Sequence, residues 1–327
     1  VASFLFVGRR RHRVFGHRLQ GPLAVCLAAL LFCSSGSVLA DALSSAAELK
    51  ALSVATREEA SKIRERRLAD FYAAHLSPLM NPDALPGLDA DPLAALFDSA
   101  HLMVFYTGSS RYLADLQRIA SALERKRPLS VSEGKHYFGA LIQTRRFEAA
   151  AAFAASAPLA ERERVPLLRP APSGVLASAY RVSAQADVLE EVAPALSGTR
   201  LVIVGHPLCA FSQRAEAALQ TMPGLPTGLR TRTLRLAPVG QALYLAQLRE
   251  WNANHGGLEI LLTRHERDWP MINDWATPNF YLLQDGRVVD HFSGWPREGR
   301  EARFREMVAR FEHCLATACP GTPVEGS

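Results

Sequence analysis

Near residue 160 the sequence changes period, and that change constrains the fold more than any other feature. From about 44 to 160 apolar residues recur at helical spacing, beginning with Leu49, Leu52, Ile63, Leu68 and Phe71 in an alanine-rich stretch. Beyond 174 they come in short runs such as Leu201-Val202-Ile203-Val204, separated by helical segments. Between them lies ERERVPLLRPAPSG (161–174), charges followed by prolines and a glycine, which reads as a linker. The expected fold is therefore α+β and two-domain. An all-α helical-hairpin domain (41–160) precedes an α/β domain with a mixed central sheet (175–318) and a short tail (319–327).

In the first half, Ser45-Ala46-Ala47-Glu48 has capping-box form and opens a helix running towards His75. The loop SPLMNPDALPGLDADP ends it, Asp91-Pro92 starts a second helix, and Gly108 stops that one. Further helices are expected around 109–126, 131–145 and 147–157. The stretch HYFGALIQTRRFEAAAAFAASAP resembles part of a tetratricopeptide repeat, with Phe147 and Ala150 at its aromatic and small positions, over about one repeat. Met103, Phe105 and Tyr106 sit at helical spacing and read as core before they read as a binding stripe. His101 and His136 have no second ligand at i+3 or i+4, so no metal site is expected there.

The second half reads in order as strand (175–183), helix (186–196), buried strand (199–205), helix (209–221), strand (231–237), helix (241–256), strand (258–264) and a partly helical segment (265–275). A hairpin (279–295) then turns at Asp285-Gly286, and a closing helix (296–316) follows. Alternation implies parallel strands, to which the hairpin adds antiparallel ones.

The net charge of +5 invites a nucleic-acid reading, but Arg9, Arg10, Arg11, Arg13 and Arg18 all precede the first acidic residue, Asp41. Without residues 1–40 the chain is near neutral, and no nucleic-acid partner is expected. Those residues have the layout of a secretory signal peptide: a basic stretch, the apolar run PLAVCLAALLFC, and Ser37-Val38-Leu39-Ala40 at the cleavage positions. The apolar run is shorter than the roughly 20 residues of a membrane span. The leader resembles bacterial export signals, so the mature chain is expected in the periplasm without a stable membrane span. Cys26 and Cys33 would leave with the leader. Cys209, Cys314 and Cys319 remain, an arithmetic of one pair and one odd thiol.

Cys209 lies in His206-Pro207-Leu208-Cys209-Ala210-Phe211-Ser212, where a buried strand gives way to a helix. A cysteine at a helix N-terminus faces unpaired N–H groups that favour thiolate. Ser212, one turn on, offers a hydroxyl, and His206 a nearby cation. A buried structural cysteine is the alternative. No Ser-His-Asp set and no metal-ligand spacing argues for hydrolase or metal chemistry.

The order of segments, Cys209 after the first core strand and Thr277-Pro278 before the hairpin resemble the thioredoxin fold over roughly 175–318. The 69-residue spacing from Cys209 to Pro278 and the pattern TPNFYLLQDGRVVDHFSG are similar to the exported TlpA and ResA-like group. The resemblance implies a cis-proline at Pro278 facing the reactive cysteine, with Thr277, Pro278, Asn279, Gly294 and Trp295 shaping a substrate groove. The chain departs from that family at Ser212, where the second thiol belongs, and at Ile203, where a buried acid belongs. The Cys209–Ser212 loop also resembles the monothiol glutaredoxin motif, whose iron–sulfur cluster export argues against, so no cofactor is expected. In the inferred fold the last helix runs away from Cys209. Pro296 to Cys314 is 18 residues, about 27 Å at helical rise, far beyond the roughly 7 Å a disulfide allows. Cys314 and Cys319 then pair with each other or both stay free.

Two functions follow from the resemblance. One is a thiol-disulfide oxidoreductase or isomerase working through Cys209 on an envelope or periplasmic protein, with a redox partner supplying the second thiol. The other is a non-catalytic adaptor of a cell-envelope assembly.

Overall fold

The computed structural model describes residues 41–156, 164–185, 187–317 and 319. The signal-peptide reading falls on residues 1–40, outside the described residues, as does most of the tail.

The first part is helical. Residues 41–55 form α1, followed by α2 (Ser61–Phe71), α3 (Ala90–Thr107), α4 (Ser110–Glu124), α5 (Val131–Gln143) and α6 (Phe147–Ser156). Three details differ from expectation. The chain is already helical at 41, so Ser45 is not an N-cap; the neighbouring Ser44 hydroxyl instead donates to Glu48 Oε1 at 3.0 Å, one turn on. The helix breaks near 56–60, where the Thr56 hydroxyl donates to the Leu52 carbonyl at 2.8 Å, before α2 resumes. Asp89, not Asp91, holds the N-cap position of α3. The capping box that does form is Ser130–Glu133, opening α5. Gly108 ends α3 at φ +58°, a left-handed conformation that glycine adopts at little cost.

The second part is a mixed sheet. Its strands are β1 (Leu167–Arg169), β2 (Ala179–Val182), β3 (Val188–Val192), β4 (Thr199–Val204), β5 (Thr233–Ala237), β6 (Ile260–Thr263), β7 (Asn279–Gln284) and β8 (Arg287–Ser293). Among the described residues they lie in the order β1-β3-β2-β6-β5-β4-β7-β8. β4, β5 and β6 run parallel, β7 is antiparallel to β4, and β8 to β7. Helices α7 (Ala210–Thr221), α8 (Thr227–Thr231), α9 (Leu245–Asn254) and α10 (Glu301–Ala316) connect or follow them.

Two segments correct the sequence reading. Part of the supposed linker is strand β1, paired parallel to β3. ADVLEEVAPAL, expected as a helix, contains β3, whose register sets Leu189 against Val182 and Glu190 against Arg181 of β2. Its Ala and Glu content favours helix, but Val188 and Val192 suit a strand and pairing on both sides decides.

The continuous apolar strands follow from burial on both faces. Leu201, Ile203, Phe280 and Leu282 face a core closed by α7 and α10 (Ala215, Phe304, Phe311). Val202, Val204, Tyr281 and Leu283 face the opposite core with Trp269 and Ile272. Tyr180, Leu189, Ile260 and Leu262 share a third core with the helical part. That junction carries a polar clasp. Arg145, nine-tenths buried, donates from Nη2 to the Thr263 carbonyl at 2.7 Å and from Nε to the Arg264 carbonyl at 3.4 Å. A disulfide joins Cys314, in the last turn of α10, to Cys319 beyond the end of that helix. Among the described residues no helix is long and apolar enough to cross a membrane.

Candidate functional site

The carboxyl ends of the parallel strands β4, β5 and β6 open on one edge of the sheet. The chain leaves β4 for α7 and β5 on one side and returns through β7 on the other. Such a reversal leaves a crevice that ordinary βα connections do not fill. Cys209 lies there.

Cys209 is the N-cap residue of α7 and, among the described residues, the free cysteine. The loop before it is fixed by local bonds. The Cys209 N–H donates to the His206 carbonyl at 3.0 Å, and the Cys209 carbonyl accepts from the Gln213 N–H at 2.9 Å, starting the helix. Pro207 is buried, and its carbonyl accepts from Gln213 Nε2 at 2.6 Å.

Thr277-Pro278 is a cis peptide bond. Cys209 Sγ donates to the Thr277 carbonyl at 3.4 Å, across 68 residues of chain. Burial pushes the thiol up. The Thr277 side chain, the Ser212 N–H and hydroxyl and the Phe211 N–H favour the ionised sulfur and outweigh it, so the net shift is down, toward thiolate. The Ser212 hydroxyl oxygen accepts from the His206 N–H at 3.3 Å, which leaves its own proton for the sulfur.

His206 does not supply a cation. Its Nδ1 accepts from the Leu208 N–H at 3.2 Å, and burial lowers its pKa. A proton on Nδ1 would oppose that N–H, so the ring is neutral and shapes the turn, and it stands T-shaped to the Tyr244 ring at 5.2 Å between centroids.

The residues around Pro278 divide into two roles. Thr277 is half-buried beside the thiol. Asn279, expected to meet substrate, is fully buried and already paired to Val204 on one side and Ser293 on the other. Its amide Nδ2 donates to the Asp274 carbonyl at 3.3 Å and the Ala276 carbonyl at 3.2 Å, while Oδ1 meets His291 Nε2 at 2.7 Å. Asn279 therefore anchors the loop. Trp295 is likewise 2 % exposed, packed with Phe280 and Phe304, and faces the core. Gly294, at φ +80°, donates its N–H to the Pro278 carbonyl at 2.8 Å and so holds the proline in place.

The open rim of the site is apolar: Leu208 and Phe211 are about half exposed, and Arg214 stacks on the Phe211 ring at 4.6 Å. Beneath it, Ile203 lines the interior with no charge, but one turn beyond Ser212 the buried Glu216 pairs with buried Arg235 of β5 at 2.8–3.2 Å. Sequence reasoning missed this pair, since only the β4–α7–β5 packing brings it together. It also treated His101 and His136 as isolated; α3 and α5 stack their rings at 4.2 Å. Among the described residues no three His, Cys, Asp or Glu side chains are placed to hold a metal.

No protein-family model, no curated protein and no solved structure matches this chain.

Proposed function

We propose that this chain is an exported, periplasmic thioredoxin-like protein that acts on thiols or disulfides of envelope proteins through Cys209 alone. The observation that carries the reading is the 3.4 Å contact between a free thiol at the N-cap position of α7 and the carbonyl preceding a cis-proline. The order β5-β4-β7-β8, with β5 parallel and β7 and β8 alternating in direction, supports the fold assignment.

In the proposed step the Cys209 thiolate attacks one sulfur of a client disulfide. A Cys209–client S–S bond forms, the client S–S bond breaks, and the leaving thiolate takes a proton from water. With Ser212 in place of a second thiol, release needs a thiolate of the client or of a redox partner to attack the mixed disulfide. The pair of exchanges shuffles a disulfide without net oxidation.

The adaptor reading remains the second one, favoured by Ser212 and by the exposed Leu208 and Phe211, which suit a docking surface.

The test is the pH dependence of alkylation at Cys209 in the folded chain, followed by trapping of mixed disulfides. An apparent pKa below the free-thiol value of ~8.5 and trapped envelope proteins support the exchange reading. A pKa at or above that value with slow modification replaces it with the adaptor. Recovery of the mature chain from a periplasmic extract tests export.

A further inference from the structure

A groove of about 1160 Å³ lies between the helical part and the segment entering β7, and it reaches Gly286 and Arg287 at the β7–β8 turn. Ala276 belongs to its wall, and the next residue, Thr277, touches the thiol. On the far side stand α2 and the end of α3, where Phe105 is 54 % exposed. Met271 and Trp275 supply further apolar surface.

The charges in the groove are unequal. Lys62, Arg64, Arg267 and Arg287 line it against two acids, Glu65 and Glu266. Arg267 and Arg287 are exposed and carry no ion pair among the described residues. Arg64 stacks on Tyr106 at 4.7 Å, and its Nε, shut off from solvent, has no hydrogen-bond partner among the described residues. Desolvation disfavours the ionised form of half-buried Glu65 and, although its surface is open, that of Glu266, which increases the positive balance.

We propose that this groove binds an extended, acidic and aromatic stretch of the client polypeptide, leading the adjoining client cysteine to Cys209. The proposal rests on the thiol-exchange reading, and it assigns the helical part a role in selecting which sulfur is presented. Cationic side chains around an apolar floor complement carboxylates interleaved with aromatic rings. Trp275 and Ala276 belong to the wall and lead directly into Thr277, which sets the direction in which such a segment runs.

The experiment measures binding apart from chemistry. A short fluorescein-labelled peptide of alternating Glu and Phe residues, without cysteine, is titrated into the Cys209→Ser chain by anisotropy. A peptide with Lys in place of Glu serves as the control. The acidic peptide is expected to bind roughly tenfold more tightly than its lysine counterpart, and the Arg267→Glu/Arg287→Glu chain to lose about that factor. Equal binding of both peptides, or no effect of the reversal, overturns the proposal. So does self-association at the same concentrations that the reversal abolishes, which gives the groove to a second copy of this chain. A cysteine-containing version of the acidic peptide, activated as a mixed disulfide, is then reacted with the unsubstituted chain. Selective binding without exchange leaves the groove standing and removes the thiol reading. Exchange at rates independent of peptide charge does the reverse. The urea midpoint and far-ultraviolet circular dichroism of the Arg267→Glu/Arg287→Glu chain report whether its fold is intact.

Discussion

Cys209 Sγ lies 3.4 Å from the carbonyl oxygen of Thr277, and this contact exists only while the sulfur carries its proton. The Ser212 hydroxyl has the opposite preference, because its proton is free to serve the thiolate while its oxygen accepts from His206. The Thr277 carbonyl and the Ser212 hydroxyl therefore pull the titration in opposite directions, while the Thr277 side chain acts with Ser212. Ser212→Ala is expected to raise the Cys209 pKa and slow alkylation at neutral pH by roughly threefold to tenfold, the value of one hydrogen bond. The limiting rate at high pH should stay unchanged. Iodoacetamide kinetics across pH measure both, and an unchanged profile removes Ser212 from the site.

Ser212 also defines what the loop lacks. It follows Cys209 by one helical turn, a spacing that keeps Cα atoms within the ~4.4–6.8 Å a disulfide requires. Ser212→Cys is expected to form an internal disulfide on oxidation. Thiol titration would show two fewer reactive sulfurs in the oxidised variant than in the reduced one, and mixed-disulfide trapping should fall. Persistence of two free thiols under oxidant would place the side chains in diverging directions.

Arg145 joins the helical part to the end of β6 through two carbonyls that water does not reach easily. Arg145→Ala leaves those acceptors unpaired, at a cost of roughly 2–4 kcal/mol in urea unfolding. Arg145 also holds φ +59°, so Arg145→Gly should cost less than Arg145→Ala. If both variants unfold at the midpoint of the unsubstituted chain, the clasp contributes nothing.

What could be read from the sequence was local. Cys209 at the start of α7, Pro278 ahead of β7 and the turn at Asp285-Gly286 are each set by neighbouring residues. Asp285 and Gly286 adopt φ +49° and +77° as such a turn requires. The misreadings concern properties that only packing decides. Val188–Val192 became a strand because β1 and β2 flank it. Asn279 and Trp295 looked like substrate residues by position, yet β8 and α10 bury them. His206 looked like a cation until the Leu208 N–H was found on its Nδ1. Likewise, no sequence spacing brings Glu216 to Arg235 or His101 to His136.

Asn279 is expected to be among the costliest polar positions in the site. Its side chain holds two carbonyls of the 274–276 loop and meets His291, whose ring stacks on Tyr281 at 4.4 Å. Asn279→Ala should destabilise the fold by about 2–3 kcal/mol and loosen the loop that carries Thr277. The Cys209 pKa should then move up as the contribution of the Thr277 side chain, the largest of those that lower it, is lost. A destabilised variant with an unaltered thiol titration would make Asn279 a core residue with no bearing on the site.

Glu266 offers a pH test of the groove. Its surface is open, yet the surrounding walls push its carboxyl up to about 7 by desolvation, with Glu65 adding repulsion and Arg145 opposing both. A carboxyl whose folded pKa lies above its unfolded value favours the fold while it stays protonated, and that advantage is lost as pH rises. Below about 4.5 both states are protonated, so Glu266→Gln should match the parent chain there. Between that pH and about 7 the parent loses stability relative to the variant, and above 7 the difference should be constant in the variant's favour. Urea midpoints of the two chains from pH 4 to 8 measure the difference. A gap that shrinks on going up in pH would mean that the ionised Glu266 is held by a cation, and the positive balance assigned to the groove would have to be lowered accordingly.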